Sequence, residues 1–344
     1  MGEFDLIERY FKRPAQGAAL GASPGVSPSV ALSIGDDCAL LQPRPGTQLA
    51  ISSDMLVEGR HFFPDVDPAH LGHKALAVNL SDLAACGAKP MAFTLALALP
   101  RVNEPWLAAF SRGLFALADT HGCTLIGGDT TQGPLNICIT VFGEVPVVAG
   151  KSQALLRSGA RPGDDLYVSG TLGDARLALD ALRGSISLPA AVLAHARQRL
   201  EQPTPRVALG LALRGIATSA IDVSDGLLGD LGHVLKASHC GATIDTSIAI
   251  QLIASNASKS WPAGQFDAEI NLQNRLNWVL AGGDDYELLF TAPASARAAV
   301  LEAARTSATP VTRIGRMDSE SGLRLVDANG QPMSDTFASF DHFK

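Results

Sequence analysis

No stretch of this chain is apolar for long enough to cross a bilayer. The longest run, MAFTLALAL at Met91–Leu99, covers about half of the span required. The first residues, MGEFDLIERYFKRP, carry acidic side chains and no long apolar core, so they do not read as a secretory signal. Leu6 stands where a myristoylation motif needs Ser or Thr. The chain is therefore expected to be cytoplasmic, with no membrane partner. An excess of positive charge is missing too. Lys and Arg number 27 against 34 Asp and Glu, a formal net charge of −7, which argues against a nucleic-acid partner. Cysteine is scarce. The five residues Cys38, Cys86, Cys123, Cys138 and Cys240 form no CxxC, so free thiols are expected rather than a disulfide framework. His70 and His73 make an HxxH, but no second ligand pair stands near them, and they read as surface or capping residues.

The usual nucleotide motifs are also absent. There is no GxGxxG and no protein-kinase loop set. GEVPVVAGKS, at Gly143–Ser152, resembles a phosphate-binding loop but holds six residues between its glycines where four are required.

What is present is apolar and ordered in style. The 344 residues are 47% apolar and 18% charged, which suits two domains, each with a core. Strands are expected at Gln48–Asp54, Met91–Leu99 and Leu135–Val145. Between them, Asp67 and Pro68 open a helix that runs to about Cys86 with Gly87 as its stop. Asn103 caps a second helix, with Trp106, Phe110, Leu114 and Leu117 as its apolar stripe and Gly122 at its end. Helices mixed with strands predict an α/β (α+β) domain over residues 1–150. A second α/β domain follows over 151–344. It has strands at Asp164–Gly170, Thr218–Val223 and Tyr286–Pro293, a short strand near VTRIG, and then a C-terminal tail. Arg13–Ser29, rich in Gly, Ala, Pro and Ser, reads as a mobile loop.

The informative residues are aspartates beside Gly or Ser. They stand in IGDDCALL (Asp36, Asp37), ISSDMLVEGRHF (Asp54), VNLSDLAACG (Asp82), LIGGDTTQGP (Asp129), IDVSDG (Asp222, Asp225) and LAGGDDYELLF (Asp284, Asp285). Each alone reads as a turn or a helix cap. Several of them lie at the end of an apolar strand, which is where α/β folds place ligands, and others sit on helices. Asn79 and Asp82 share one helix face. Converging carboxylates cannot all stay ionised without cations. Hard oxygen donors select Mg²⁺ or Ca²⁺, and Mg²⁺ recruits phosphates as further ligands. GGDTTQG and DVSDGLLG add Gly and hydroxyl residues whose backbone N–H groups can face an anion.

Taken together, GDDCALL, SSDMLVEGRHF, KALAVNLSDLAACGAKP, LIGGDTTQGP, RSGARPGD, AIDVSDGLLGDLGH and GGDDYELLF resemble the thiamine-monophosphate kinases. That family lies in the superfamily of aminoimidazole-ribonucleotide synthetase and selenophosphate synthetase. The resemblance covers nearly the whole chain. It implies a two-domain aminoimidazole-ribonucleotide-synthetase-like fold, with an N-terminal mixed sheet that pairs in a homodimer and binds ATP and magnesium, and a C-terminal domain that completes the phosphate and substrate site. It implies ATP-dependent phosphorylation of thiamine monophosphate to thiamine diphosphate. By motif, Asp37, Ser52, Ser53, Asp54, Asp82, Asp129, Asp222 and Asp225 match the Mg²⁺ shell, with Asp54, Asp82, Asp222 and Asp225 carrying catalysis. Gly128, Asp129, Arg157 and Ser224 match nucleotide-phosphate contacts. His61, Asp284 and Phe340 match positions that hold the thiamine phosphate. Asp284 stands where many relatives have Glu, and Phe340 where relatives have Tyr or Trp, which keeps a stacking face and loses a polar handle.

The implied acceptor is itself a phosphate monoester, with a second pKa of about 6, so it needs no general base. The difficulty is to bring two anions together, which cations held by carboxylates relieve. Two other readings stay open. One is a superfamily member with a different acceptor, such as a cyclo-ligase; the loop at Arg13–Ser29 has no Cys, which counts against a selenophosphate synthetase. The other is a metal-binding scaffold without activity, against which stands the lack of DxDxDG repeats.

Overall fold

The structure, a computed structural model, describes residues 2–13, 29–253, 270–333 and 337. The chain divides into two compact units: Met1–Leu83 with Ala88–Gln153, and Ala84–Gly87 with Ala154–Lys344.

The first unit opens with α1 (Glu3–Leu6), β1 (Val30–Leu32) and β2 (Leu40–Leu41). It continues through β3 (Thr47–Val57), α2 (Pro68–Ala85), β4 (Lys89–Leu99), α3 (Glu104–His121), β5 (Thr124–Gln132), β6 (Asn136–Val148) and β7 (Lys151–Ser152). The sheet order is β3-β6-β4-β5, with β7 paired to β6. β4 and β5 run parallel and the other pairs antiparallel, so the sheet is mixed. The helix boundaries follow from the caps. Asp67 accepts from the Ala69 N–H at 2.7 Å, with Pro68 at the first helical position. Asn103 accepts from Trp106, and Gly122 ends α3 in the left-handed conformation. α2 and α3 cross at glycines. A Cβ on Gly72 would stand 2.1 Å from the Phe110 carbonyl oxygen, and one on Gly113 would stand 1.8 Å from that of Ala69.

Strand alternation gives the sheet two unlike faces. Leu95, Leu97, Ile137, Ile139 and Val141 are buried on one. On the other, β3 shows water an apolar row: Leu49, Ile51 at 61% exposure and Met55 at 53%.

The second unit contains β8 (Asp164–Ser169), α4 (Asp174–Leu182), α5 (Ala190–Glu201), α6 (Val207–Ala212), β9 (Ser219–Val223), α7 (Leu227–Ser238), β10 (Gly241–Asp245) and α8 (Thr246–Ala249). After these come α9 (Leu272–Ala281), β11 (Glu287–Pro293), α10 (Arg297–Thr306), β12 (Val311–Asp318) and β13 (Gly322–Val326). Its sheet runs β13-β10-β12-β8-β11-β9. β8 and β9 are buried along their whole length, and β11 up to Ala292. Their centres, Leu166–Val168, Ala220–Ile221 and Leu288–Phe290, are apolar apart from the Tyr167 hydroxyl, and the acids Asp165, Asp222 and Glu287 are buried along with them. Two elements differ from the sequence reading. LIGGDTTQ, where the sequence reading places no strand, lies within the edge strand β5, laddered to β4. The expected C-terminal tail contains β13, which pairs in parallel with β10.

Candidate functional site

In the first unit, β3 and α2 bring Ser52, Asp54, Asn79 and Asp82 together. The Ser52 hydroxyl donates to Asp82 Oδ2, and the Asp54 N–H donates to Asn79 Oδ1 at 3.1 Å. Asn79 is buried and holds its own amide on the Ala75 carbonyl at 3.0 Å, so its oxygen is fixed toward β3. Ser53 faces the other way. Its hydroxyl meets Thr140 Oγ1 at 2.9 Å and the Ile139 carbonyl at 3.2 Å. The register pairs Leu95 with Gly128 and Ala96 with Asp129. This sets Asp129 on the open face with Ser53, away from Ser52 and Asp54. Gly128 has φ of 146°, and a Cβ there would stand 1.8 Å from the Leu95 carbonyl oxygen, so the strand requires glycine. Asp37 is exposed in the turn after β1, its N–H donating to Asp36 at 2.9 Å. His61 accepts the Val57 N–H on Nδ1 at 3.0 Å, which puts the ring proton on Nε2. Buried Lys74 donates to the His61 carbonyl at 3.3 Å.

In the second unit, β9 delivers Asp222 to a corner and α7 leaves it. Asp222 is buried, whereas Ser224 and Asp225 are half-buried. Gly226, at φ of 112°, makes the turn into α7 where a Cβ would stand 2.8 Å from Ala281 backbone atoms. The neighbouring turn joins α9 to β11. There the Asp284 N–H donates to the Ser224 carbonyl at 2.8 Å, and the Tyr286 N–H to the Val223 carbonyl at 2.8 Å. Thus Asp222, Ser224, Asp225 and Asp284 are one assembly. Arg157 is exposed, and its carbonyl is tied to α7 through the Ser238 hydroxyl at 3.0 Å. Phe340 lies outside the described residues.

Two carboxylates with no assigned role brace this assembly. Asp230, one turn into α7, accepts the Ser224 and Asp225 N–H groups on Oδ2 at 3.0 and 3.1 Å. Burial first, and the Asp225 charge second, push its carboxyl up to about 7. Asp285 is buried, and its two oxygens accept the Gly173 N–H at 3.1 and 3.0 Å. Burial raises its carboxyl well above the carboxylate range. Beneath it, fully buried Glu287 is met by Ser169 at 2.6 Å, Arg199 at 2.8 Å and both edges of Arg206 at 2.5 and 2.6 Å. In the sequence, Asp230 is visible only as a second acid after DVSDG, and Asp285 only as the twin of Asp284.

Among the described residues, no three His, Cys, Asp or Glu side chains gather as a ready-made metal cage. The donors on offer are oxygens only: a serine hydroxyl on a carboxylate, and carboxylates in pairs. That set fits Mg²⁺, which keeps waters and takes one or two carboxylates plus substrate phosphates.

Residues 35–145 match the AIR synthase related protein N-terminal domain, and residues 161–328 match the corresponding C-terminal domain. A thiamine-monophosphate kinase of Salmonella typhimurium is 47% identical over 99% of this chain and 98% of its own length. The crystal structure of a thiamine-monophosphate kinase from Stenotrophomonas maltophilia superposes with a TM-score of 0.77 at 43% identity, covering 89% of this chain and 93% of that one. AaThiL, solved in complex with AMPPCP and TMP, superposes with a TM-score of 0.72 at 27% identity, covering 87% of this chain and 89% of that one.

Proposed function

The chain belongs to the AIR synthase related proteins and, among them, to the thiamine-monophosphate kinases, and on that premise we propose that it moves the γ-phosphoryl group of ATP onto thiamine monophosphate, yielding thiamine diphosphate and ADP. The observation that carries the reading is the β9–α7 corner. Asp222, Ser224 and Asp225 meet there, and Asp284 is bonded to it through the Ser224 carbonyl. That bond sets Asp284, which we read as facing the acceptor, beside the corner that we read as facing phosphate. A solved relative that carries both AMPPCP and TMP supports the pairing of these two substrates.

The acceptor is already an anion, so no residue need remove a proton from it. What the chain's residues do is hold, orient and neutralise. We assign Asp37, Ser52, Ser53, Asp54, Asp82, Asp129, Asp222 and Asp225 to magnesium, Gly128, Asp129, Arg157 and Ser224 to nucleotide phosphate, and His61, Asp284 and Phe340 to the acceptor. Bound magnesium supplies charge neutralisation between the two anions. The Ser52 hydroxyl on Asp82 orients that carboxylate, and Asn79 fixes the strand at Asp54. Ser53 and Asp129 occupy the open sheet face, so their part in the shell needs that face to be completed by a second copy. The exposed row Leu49, Ile51 and Met55 supports such a homodimer, because an apolar strip of this kind on a sheet marks an association surface. No described helix is long and apolar enough to cross a membrane, and use of ATP fits a cytoplasmic enzyme.

The test offers candidate acceptors one at a time with ATP and Mg²⁺ and follows ADP release. Thiamine monophosphate is expected to drive turnover, with thiamine diphosphate as product. Turnover driven instead by a formylglycinamidine ribonucleotide or by selenide would move the chain to another branch of the superfamily.

A further inference from the structure

The turn that carries Asp284 is held in a conformation that side chains avoid. Asp284 has φ of 67° and Tyr286 φ of 51°. Asp tolerates this region through local hydrogen bonding, but Tyr gains nothing from it. Two such residues so close together persist only where the surroundings over-determine them.

The surroundings are specific. Asp285 lies between the two, 1% exposed, with its carboxylate closed on the Gly173 N–H. Gly173, at φ of 88°, holds a conformation that strains other residues, and a Cβ there would press on the Trp278 backbone at 3.0 Å. Arg199 donates to the Asp285 carbonyl at 3.4 Å. The backbone on either side is bonded to Ser224 and Val223. A Cβ on Gly283 would stand 2.4 Å from the Ser224 carbonyl oxygen, so the approach of the two loops depends on glycine. The Tyr286 hydroxyl donates to Asp284 Oδ1 at 3.4 Å. These contacts converge on the placement of one side chain, that of Asp284, beside one corner, that of Ser224.

Resting on the reading of Asp284 as a contact to the thiamine phosphate, we infer that Asp285 and Tyr286 are positioning residues for the acceptor substrate: the buried Asp285 carboxyl locks the left-handed turn onto Gly173, the Tyr286 hydroxyl aims Asp284, and together they set the affinity for thiamine monophosphate. Burial favours the uncharged form of Asp285, which asparagine imitates in shape.

Steady-state kinetics of wild type, Asp285→Leu, Asp285→Asn and Tyr286→Phe, with KM measured separately for thiamine monophosphate and ATP, test this. Asp285→Leu is expected to raise KM for thiamine monophosphate by about tenfold or more while KM for ATP stays within about threefold. Asp285→Asn, which keeps an acceptor for Gly173, is expected to stay within about threefold of wild type for both substrates. Tyr286→Phe leaves the core untouched and should raise KM for thiamine monophosphate about threefold, so it carries the test if the leucine variant does not fold. A folded Asp285→Leu with unchanged KM, both KM values rising together, or a Tyr286→Phe indistinguishable from wild type would each overturn the inference. Wild type inert toward thiamine monophosphate would sink the proposed function and this inference with it. An active wild type with indifferent variants would sink this inference alone.

Discussion

Asp54 and Asp222 place carboxylates on strands whose neighbours are apolar, and each is held there by its own strand. Replacing either with Asn keeps the shape and removes a charge that the proposed shell needs. Asp54→Asn and Asp222→Asn are expected to lower kcat at least about 100-fold at saturating Mg²⁺, with circular dichroism and melting close to wild type. Near-normal turnover in either would refute its assignment. At this scale part of the site is legible from sequence. Asp222, Ser224 and Asp225 are visible because a strand pattern ends, a glycine follows and a helix pattern begins. Ser52 and Ser53 are not separable in the string, because their motif is read as a block. The pleat sends Ser52 to Asp82 and Ser53 to Thr140 on the opposite face. The roles of Asp230 and Asp285 are hidden for another reason. They serve backbone N–H groups, and an acid in a helix or a turn looks solvated until its burial is known.

Elements with a local signal were readable, and those defined by distant partners were not. α2 and α3 announce their ends through Asp67, Asn103 and Gly122, and β11 through its apolar run. β5 carries two glycines and owes its strand character to β4, while β13 depends on β10, far away in the chain. The crossing of α2 and α3 was likewise hidden, since Gly72 and Gly113 reveal their role only when the helices touch. Gly113→Ala is expected to destabilise the protein by about 2–4 kcal/mol, a fall of several degrees in Tm by calorimetry, because its methyl group meets the Ala69 carbonyl. A melting curve unchanged from wild type would contradict that packing. Between β8 and α10, Arg297 donates to Asp165 at 2.6 and 2.8 Å, and Arg313 adds a bond at 3.2 Å. The Arg297 hydrogen bond, against the opposing effect of burial, holds the Asp165 carboxyl below its usual range. A lowered carboxylate pKa stabilises the fold above the unfolded value, near 3.9, and the contribution is lost as pH falls through the folded one. The Tm deficit of Arg297→Gln should therefore be full at pH 6 and shrink below about pH 4. A deficit that does not change with pH would show that the pair acts through packing alone.

At the scale of the molecule, a chain of net charge −7 is proposed to bring two anionic substrates together. The remedy proposed here is a set of scattered acids, of which Asp54 lies on β3, Asp82 on α2 and Asp222 on β9. The open face of the first unit belongs to the same scale. Ile51→Glu, placed in the middle of the exposed row, is expected to shift the protein from dimer to monomer in sedimentation velocity, because a buried unpaired charge is costly at such a surface. A wild type that sediments as a monomer would remove the homodimer from the proposal. The central claim is that these carboxylates hold magnesium between ATP and thiamine monophosphate. Its most direct test is thiamine diphosphate formation by the purified wild-type protein, titrated with Mg²⁺ after exhaustive treatment with EDTA. Formation should be undetectable in EDTA and return as Mg²⁺ is added; formation undiminished without divalent cation would contradict the claim.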